Sequence, residues 1–386
     1  MADESYVTES RVIRDGDGQL WDAIVVGAGP AGCAAAYDLA AAGLYVLLLD
    51  KSHFPRPKAC AGGLTIKAVK TLRYSLDPVV REVVRKVRLE GEGVSSSLKS
   101  RDPICVMTVR AEFDQYCLDK TIAVGACFRR ISAVRQIVRS SAGVHLVTAG
   151  ETYRARFLVG ADGASGQVRR LCTKGPWFSQ GFALEVQTAM PGEEVDLTFD
   201  FASFPDGYGW IFPKGDHLNV GVYSKSSAAG LTRNRLLSYV RHRLGTDTVD
   251  HVTGQYLGIG AGEWQAEYLQ PDFRDRVLLV GDAGGFVDAL TGEGIYGALI
   301  SGQAAASAIL SETRGNTPAV EAFAVCLTDY RQTLRFSSRA AAAFYANPAR
   351  GFRAIRLPFV RRSLLRTYTH GLNVKSLAMR VALSQC

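Results

Sequence analysis

The sequence predicts an α/β protein, α+β overall, in which a domain built on a parallel β-sheet is interrupted by an antiparallel β-sheet and followed by a helical C-terminal tail. Near the start of the chain, two apolar runs flank an alanine-rich segment, which is the pattern of a βαβ unit. In the middle, polar and apolar residues alternate between turn residues, which favours antiparallel strands. The chain ends in an arginine-rich segment with interleaved apolar residues.

The βαβ unit opens the first domain. Residues 22–26 form a short apolar run that predicts a strand. Residues 30–43 are alanine-rich and predict a helix, with Gly43 as a favourable stop residue. Residues 45–49 (YVLLL) predict the second strand, which would lie parallel to the first.

The later elements complete the predicted architecture. Residues 85–105 and 182–223 alternate and predict the antiparallel sheet, whereas the apolar run 277–280 predicts another buried strand. A helix is predicted from about Ile295 to Leu310. We therefore expect four regions: a flexible leader (1–20), a discontinuous parallel-sheet domain (21–84, 106–175 and 266–330), a β-rich substrate domain (85–105 and 176–265) and a basic tail (331–386).

Composition excludes several classes of protein. No apolar stretch reaches the roughly 18–20 residues of a membrane helix, and the polar first 20 residues lack the apolar core of a secretion signal. The eight cysteines are scattered without a CxxC pair, which is typical of reduced cytoplasmic thiols. The six histidines form no ligand cluster, so no metal is predicted. We expect a cytoplasmic protein.

The basic tail carries eleven Arg or Lys residues and no acidic residue, so it accounts for the net charge of +8. Two interpretations are open. The tail could form a surface that meets anionic lipid, giving peripheral membrane contact, or a diphosphate head group. It could equally be a helical pair packed on an acidic flank of the body with solvated arginines. Nucleic acid is not expected as a partner, because no binding motif accompanies the charge.

The first chemical motif is VVGAGPAG, a GxGxxG sequence that follows a predicted strand and begins a helix. Gly27 permits the tight turn, Gly29 lets the backbone approach a pyrophosphate, and Gly32 lets helix and strand pack closely. A carboxylate at the end of the second strand can accept hydrogen bonds from a ribose. The motif predicts dinucleotide binding by Gly27, Gly29, Pro30, Ala31, Gly32, Asp50 and Lys51.

A second motif, GDAGGFVDALTGEGI, lies about 250 residues downstream. Gly281 and Asp282 end a predicted strand, and a carboxylate there can bond a polyol hydroxyl. Gly292, Gly294 and Ile295 lie at a helix start, whose N–H groups can stabilise a negative ring edge. A cofactor that both ends of the chain contact must be long, which favours FAD over NAD.

The pair GxGxxG…GD resembles the flavoprotein family that includes p-hydroxybenzoate hydroxylase. In that family the first motif binds the ADP half of FAD, and the resemblance implies that Asp282 binds the ribityl chain. It further implies that Asp162 and Gly163, in the VGADG motif, lie near the pyrophosphate and ribose. Arg110, in RAEFDQYCL, would reach toward the flavin, and Val134 would lie beside the adenine.

Within that family the sequence is most similar to geranylgeranyl reductases. The segment FPRPKACAGGLT (54–65) resembles their loop beside the flavin, which implies flavin contacts for Cys60, Ala61, Gly62 and Gly63. The segment 205–223 resembles their YxWxFP…GxG motif, with Tyr208, Trp210, Phe212 and Pro213 matched. The chain departs from the pattern at Tyr223, Ala289 and Ala61, and Tyr223 could reshape the substrate tunnel.

These residues predict an FAD-dependent reductase of carbon–carbon double bonds in an isoprenoid or similar apolar small molecule. Tyr208, Trp210 and Phe212 alternate, so a strand would present them on one face as a substrate wall, although an ordinary core stripe has the same pattern. Cys60 and Tyr208 are the candidate proton donors, and Trp210 completes the predicted catalytic set. NAD(P)H or reduced ferredoxin would dock transiently as the electron donor.

Two other functions fit the same residues. The frame Tyr-x-Trp-x-Phe-Pro is similar to the Trp-x-Trp-x-Ile-Pro of flavin halogenases, so a flavin monooxygenase or halogenase is one alternative. A non-catalytic flavin-binding electron carrier is the other. The sequence leaves the substrate, the electron donor and the oligomeric state open.

Overall fold

The computed structural model describes residues 19–362, apart from 92, 176, 193, 227–229 and 359, together with residue 366. Nearly all of the predicted leader (1–20), and most of the basic tail beyond residue 362, lie outside the described residues. None of the described helices is both long and apolar enough to cross a lipid bilayer.

The described strands are short. In chain order they are β1 (Leu20–Val26), β2 (Val46–Asp50), β3 (Gly63–Thr65), β4 (Glu82–Val84), β5 (Lys86–Gly91), β6 (Val94–Lys99), β7 (Cys105–Met107), β8 (Cys127–Arg130), β9 (Val134–Ser140), β10 (Gly143–Thr148), β11 (Thr152–Gly160), β12 (Ser179–Ala189), β13 (Leu197–Asp200), β14 (Gly207–Pro213), β15 (His217–Ser224), β16 (Thr253–Ile259) and β17 (Val277–Leu279).

The described α-helices connect and cover these strands. They are α1 (Pro30–Ala41), α2 (Ile66–Thr71), α3 (Arg110–Ala123), α4 (Gln167–Cys172), α5 (Arg233–Leu244), α6 (Ile295–Thr313), α7 (Ala319–Cys326), α8 (Thr328–Ala346) and α9 (Pro348–Ile355). Four short 3₁₀ turns, among them Gly281–Gly284 at the end of β17, complete the described elements.

The first seven-stranded sheet has the order β8-β2-β1-β11-β10-β9, with β17 also paired to β11. Strands β8, β2, β1, β11 and β17 are parallel, whereas β9 and β10 form an antiparallel extension. The predicted βαβ unit is therefore present, and the late strand at residues 277–279 joins the sheet built by the start of the chain. Because parallel strands end at the same edge, the two glycine motifs come together.

The second seven-stranded sheet has the order β16-β12-β15-β14-β13-β5-β6. The two segments predicted to alternate thus share one sheet, and its pairs are antiparallel except for β5 with β13, which is parallel. That exception was not predicted, because β5 and β13 come from distant segments whose direction local alternation cannot fix. A small antiparallel sheet, β3-β7-β4, lies beside the flavin-loop segment of the sequence.

Small residues fix the contact between the first helix and the helix that follows the second glycine motif. A Cβ atom added to Gly302 of α6 would lie 2.2 Å from the carbonyl oxygen of Ala31 in α1. A Cβ added to Gly281 would lie 2.9 Å from the Cβ of Ala31. The two helices therefore pack backbone against backbone, and the GD motif rests on the start of α1.

The described part of the basic tail packs against the body of the protein. Tyr330 and Tyr345 of α8 donate hydrogen bonds to the carbonyl oxygens of Phe286 (3.0 Å) and Leu290 (2.6 Å). Phe352 of α9 is buried, and a Cβ added to Gly91 of β5 would lie 2.9 Å from its ring. These contacts are made to backbone and apolar groups, whereas Arg331 lies near the carboxylates of Glu263 and Glu267.

Candidate functional site

A cavity of about 1260 Å³ is lined by residues of both seven-stranded sheets and of the tail helices α8 and α9. Its polar end carries the glycine motifs, and its apolar end is formed by the face of the second sheet that carries Tyr208 and Trp210. Nearly every site residue predicted from sequence lines it. Those residues are Gly27, Gly29, Pro30, Ala31, Asp50, Lys51, Cys60, Ala61, Gly62, Gly63, Arg110, Val134, Asp162, Gly163, Tyr208, Trp210, Phe212, Gly281, Asp282, Gly292, Gly294 and Ile295.

The first glycine motif forms a tight turn against the end of β11. Gly27 has φ +106°, and a Cβ there would lie 2.3 Å from the carbonyl oxygen of Ala161. Gly32 is absent from the cavity lining; a Cβ on it would lie 1.8 Å from the carbonyl oxygen of Gly27. This is the packing role that the sequence predicts for Gly32. A Cβ on Gly29 would meet only Arg56, whose Nη2 would be 3.5 Å away, so the backbone at Gly29 stays open to the cavity.

Asp50 ends β2 at the mouth of this turn. Its Oδ2 accepts a hydrogen bond from the backbone N–H of Ala28 (2.7 Å), and its Oδ1 accepts one from the N–H of Ser52 (2.8 Å). A carboxylate offers about four acceptor positions, so Asp50 keeps capacity for a ribose hydroxyl. Val134, at the start of β9, lines the same end of the cavity.

Asp162 follows β11, and only one of its two carboxyl oxygens accepts a hydrogen bond from the described residues. Its Oδ2 accepts a hydrogen bond from the backbone N–H of Val168 (2.9 Å), whereas its buried Oδ1 has no partner among the described residues. Burial raises the pKa of this carboxyl, opposed by the N–H of Val168. A buried oxygen without a donor is costly, so this atom indicates a ligand that donates a hydrogen bond here.

Asp282 lies at the junction of the two sheets. Its Oδ2 accepts a weak hydrogen bond from the N–H of Gly258 (3.3 Å), and burial raises the pKa of its carboxyl while the charge of Lys58 opposes the rise. Lys58 itself is half-buried and donates to Oε1 of Gln255 (2.5 Å). Burial lowers the pKa of Lys58 to about 8. Lys58 therefore faces the cavity instead of bulk solvent.

A buried ion-pair network lies next to the loop from Cys60 to Gly63 and supports it. The Sγ of Cys60 accepts a hydrogen bond from the N–H of Gly62 (3.3 Å), and the Arg110 guanidinium lies beside that thiol. Arg110 forms two hydrogen bonds of 2.9 Å to Asp114, four residues further along α3. Arg56 also pairs with Asp114 at 3.0 Å, and its Nε has no partner among the described residues.

A second polar network fixes the loop before α6. Glu293 accepts hydrogen bonds from Thr65 (2.5 Å) and from Lys67 (2.6 Å), which ties the loop to β3 and α2. Gly292 has φ +68°, and a Cβ on it would lie 3.3 Å from the ring of Tyr223. Tyr223 therefore packs against this loop. Tyr223 is also one of the positions at which the chain departs from the family pattern, and it lines the cavity.

Aromatic rings form the apolar wall of the cavity on the second sheet. Tyr208, Trp210 and Phe212 share one face of β14, as predicted, and all three are buried. The ring centroids of Tyr208 and Tyr223 are 5.2 Å apart, and Phe199 lies 5.1 Å from Phe212. The hydroxyl of Tyr208 donates a short hydrogen bond to the carbonyl oxygen of Thr291, and burial raises its pKa.

Trp210 is positioned by two neighbours. Its Nε1 donates a hydrogen bond to Oδ1 of Asn219 (2.7 Å). Its ring lies over Gly221, where a Cβ would be 2.1 Å from Cζ2 of the indole. Gly221, part of the predicted GxG motif, is therefore required for the indole to lie flat on the sheet.

Sequence reasoning missed four buried polar residues near the flavin loop. Arg56 and Asp114 lie in segments already singled out, and the i, i+4 spacing of Arg110 and Asp114 was a usable signal. Glu185 on β12 and Lys214 after β14 had no local signal, because only the pairing of the strands brings them to the cavity. Lys214 donates to the carbonyl oxygens of Ala61 and Thr108, the latter at 2.9 Å.

Comparison with known proteins agrees with this geometry. The model of the FAD binding domain family matches residues 21–320. A Methanosarcina barkeri protein of uncharacterised function is 34% identical over 301 residues, which cover 76% of each chain. The geranylgeranyl diphosphate reductase of Rhodobacter capsulatus is 29% identical over 316 residues, covering 78% of this chain and 77% of the relative.

Solved structures share the fold. A geranylgeranyl bacteriochlorophyll reductase-like protein from Thermoplasma acidophilum has a TM-score of 0.75 at 19% identity, covering 93% of this chain and 99% of that one. A flavin-dependent brominase has a TM-score of 0.69, also at 19% identity, covering 95% and 99%.

The residues present fit FAD. The open backbone at Gly29 beside the unpartnered Nε of Arg56 suits a pyrophosphate, and the unpartnered Oδ1 of Asp162 suits a hydroxyl donor. Asp282 lies at the other end of the polar region, within one continuous cavity. Among the described residues, no group of three or more His, Cys, Asp or Glu side chains could hold a metal ion.

Proposed function

Because this chain belongs to the FAD binding domain family and is a geranylgeranyl reductase-like FAD-dependent oxidoreductase, we propose that it reduces carbon–carbon double bonds of an isoprenoid or similar lipid-like substrate. The observation that carries the proposal is the aromatic wall. It continues the cofactor cavity away from the glycine motifs with apolar side chains from both the second sheet and α8.

The polar end of the cavity would hold the cofactor. Gly29 and Arg56 would contact the pyrophosphate, Asp50 and Asp162 would accept hydrogen bonds from ribose hydroxyls, and Asp282 would bind the ribityl chain. The remaining predicted contacts are Gly27, Pro30, Ala31, Lys51, Ala61, Gly62, Gly63, Arg110, Val134, Gly163, Gly281, Gly292, Gly294 and Ile295. When bound and reduced, FAD supplies a hydride to one alkene carbon.

The apolar end would hold the substrate chain and exclude water. An isolated alkene is a poor hydride acceptor, so the protein must align it and provide a proton at the second carbon. Tyr208, Trp210 and Phe212 would pack along the chain. Cys60 and Tyr208 remain the proton donors predicted from sequence. Of the two, Tyr208 is the less available, because its proton is committed to the carbonyl oxygen of Thr291.

The experiment that tests the proposal is a single turnover without oxygen. The FAD-loaded protein is reduced with dithionite, freed of excess reductant and mixed with geranylgeranyl diphosphate. We expect the flavin to be reoxidised and the lipid to gain two hydrogen atoms by mass spectrometry. No reoxidation by this or other prenyl substrates would overturn the proposal, and a product carrying oxygen or halogen after exposure to air would favour a monooxygenase or halogenase.

The same assay examines the proton donors. If Cys60 or Tyr208 supplies the proton, Cys60→Ala or Tyr208→Phe slows flavin reoxidation while the bound FAD spectrum stays unchanged. The assay also identifies the electron donor when dithionite is replaced by NADPH, by NADH or by reduced ferredoxin. If neither substitution slows the alkene-dependent step, neither side chain is the donor.

We further propose that the basic tail contacts anionic membrane surfaces, from which a lipid substrate could enter. Arg350, Arg353 and Arg356 are exposed on or next to α9, as are Phe336 on α8 and Leu357 beyond α9. Such a mixture of cations and apolar side chains suits the interface of an anionic bilayer. We expect co-sedimentation with phosphatidylserine vesicles that is lost at high salt. Equal recovery with neutral phosphatidylcholine vesicles would contradict an electrostatic contact.

A further inference from the structure

A buried carboxyl group that the sequence did not single out faces the aromatic wall. Glu185 lies on β12 and is 6% exposed, and its side chain lines the cavity. Its Oε2 is buried and has no hydrogen-bond partner among the described residues. No described ion pair involves this carboxyl either. A buried carboxyl oxygen without a hydrogen-bond partner is uncommon in proteins and indicates either a ligand or a catalytic role.

The register of the second sheet places this carboxyl beside the predicted substrate. Glu185 pairs with Gly221 of β15, and Gly221 pairs in turn with Trp210 of β14. Residues directly opposite one another share a face of the sheet, so Glu185 and Trp210 stand on either side of Gly221. Because Gly221 has no side chain, the indole of Trp210 lies over it, and the strand that carries Glu185 pairs with the other side of Gly221.

The opposite side of Glu185 faces the flavin loop. The backbone N–H of Cys60 and the side chain of Asn219 lie close enough to the Glu185 carboxyl to oppose the rise of its pKa. Lys214, which is 2% exposed, holds the next part of this loop by its contacts with the carbonyl oxygens of Ala61 and Thr108. The carboxyl therefore lies between the loop predicted to border the flavin and the wall predicted to border the substrate.

We propose, resting on the reductase function proposed above, that Glu185, in place of Cys60 and Tyr208, is the catalytic acid that delivers the proton to the second alkene carbon. The O–H bond of the carboxylic acid breaks, its electron pair stays on the carboxylate, and a C–H bond forms. The first alkene carbon accepts the hydride and its electron pair from the reduced cofactor. The carboxylate regains a proton from solvent after product release, and an electron donor of the NAD(P)H or ferredoxin class restores the reduced cofactor.

The protonation state of Glu185 is compatible with this role. Burial raises the pKa of its carboxyl, and the Cys60 N–H, Asn219 and the positive charges of Lys214 and Arg110 oppose the rise. Lys214, whose positive charge opposes that rise, has its own pKa lowered by burial to about 8. The acid form of the Glu185 carboxyl, which burial favours, is a stronger proton donor than the hydroxyl of Tyr208, whose pKa burial raises.

Glu185→Gln tests the assignment, because the amide keeps the size of the side chain and an oxygen for the Cys60 N–H but has no acidic proton. We expect the FAD affinity and spectrum to stay unchanged while alkene-dependent reoxidation of the flavin slows by about 100-fold or more. Glu185→Asp should recover part of the rate. Glu321→Gln, on the exposed surface of α7, is the matched control and should react like the wild type.

Infrared spectroscopy gives a readout that does not depend on turnover. The FAD-loaded wild type at neutral pH should show the carbonyl stretching band of a protonated carboxyl, which shifts in D₂O. The difference spectrum of wild type minus Glu185→Gln should contain that band, which separates it from any band of the buried carboxyls of Asp162 and Asp282, and the difference spectrum with Glu321→Gln should not. Absence of the band from the difference spectrum with Glu185→Gln, or a Glu185→Gln variant that reduces the alkene at the wild-type rate, would overturn the assignment.

The two proposals fail in different ways. If the wild type shows the band but reduces no prenyl substrate, the reductase function fails and Glu185 loses its role with it. If the wild type reduces the alkene and Glu185→Gln does so equally fast, the reductase function stands and only the acid assignment falls.

Discussion

At the scale of single residues, the site combines groups that sequence could find with groups that it could not. Gly27 and Gly29 belong to a motif that, with its flanking strand, helix and acidic residue, predicts dinucleotide binding, and the family resemblance implies the role of Asp282. Glu185 and Lys214 are lone charged residues in alternating segments, where a solvated position is the ordinary expectation. Only the strand register turns them toward the cavity, so no local pattern could have identified them.

Lys214 allows a pH prediction at this scale. Burial lowers its pKa from 10.5 to about 8, so above pH 8 the unfolded chain binds more protons at this residue than the folded one. Stability contributed by this lysine therefore rises as the pH increases from about 8 to 10.5 and is lowest below pH 8. At about 1.4 kcal/mol per unit, the full change amounts to roughly 3 kcal/mol.

Lys214→Met removes that titration but keeps the length of the side chain. We expect the stability difference between wild type and variant to move in favour of the wild type between pH 7.5 and 9.5, measured from urea unfolding midpoints of the FAD-loaded proteins. Lys225→Met, whose lysine is paired near the surface with Asp206 at 3.7 Å, is the control. A difference that is constant with pH would show that Lys214 is not titrating in this window.

At the scale of secondary-structure elements, the strands and helices around the glycine motifs follow from sequence. The run at residues 22–26 and the helix beginning at Pro30 were predicted within two residues of β1 and the start of α1. The parallel pair β5–β13 was not predictable, because alternation reports which face is buried and not which strand is the neighbour. The aromatic stripe of β14 could be predicted, because side chains alternate between the two faces of a strand whichever strand is its neighbour.

Helix α3 carries a prediction about the ion pairs beneath the flavin loop. Asp114 is fully buried and joins Arg110 and Arg56, whereas Glu112 on the same helix pairs with Arg81 at the surface, where both side chains are more than a third exposed. Removing one charge of a buried pair leaves the other unpaired, which costs about 3 kcal/mol or more. An exposed pair contributes about 1 kcal/mol or less.

We therefore expect Asp114→Asn to lower the free energy of unfolding by about 3 kcal/mol and to weaken FAD binding, because Arg56 and the Cys60 loop lose their support. Glu112→Gln should change either quantity little. Chemical unfolding and FAD titration by fluorescence measure both effects. Equal losses in the two variants would mean that the buried network does not hold the loop.

At the scale of the whole molecule, the cavity depends on parts of the chain that are far apart in sequence. The two glycine motifs supply one end, the interrupting sheet supplies the wall, and the tail helices supply part of the lining beyond the aromatic residues. Phe344 of α8 reaches Phe201 of the sheet, with 5.2 Å between ring centroids. The sequence did not predict that the tail lines the cavity, because its arginines dominate the pattern and its small residues form no motif.

Those small residues give a prediction about substrate length. Ala342 and Ala343 are both exposed on α8, but only Ala343 lines the cavity. Ala343→Trp should fill this end of the cavity and exclude the last isoprene unit of a long chain, whose burial contributes up to about 4 kcal/mol at about 0.8 kcal/mol per CH₂.

We expect the KM for geranylgeranyl diphosphate to rise at least about tenfold in Ala343→Trp, with little change for geranyl diphosphate, whose chain is half as long. Ala342→Trp adds the same side chain to the same helix outside the cavity and should leave both substrates unaffected. Steady-state assays of the two variants with the two lipids measure the effect. An equal rise of the KM for both substrates in Ala343→Trp would contradict this prediction. The isoprenoid chain would then not end beside α8, and the substitution would act through the loops around the flavin.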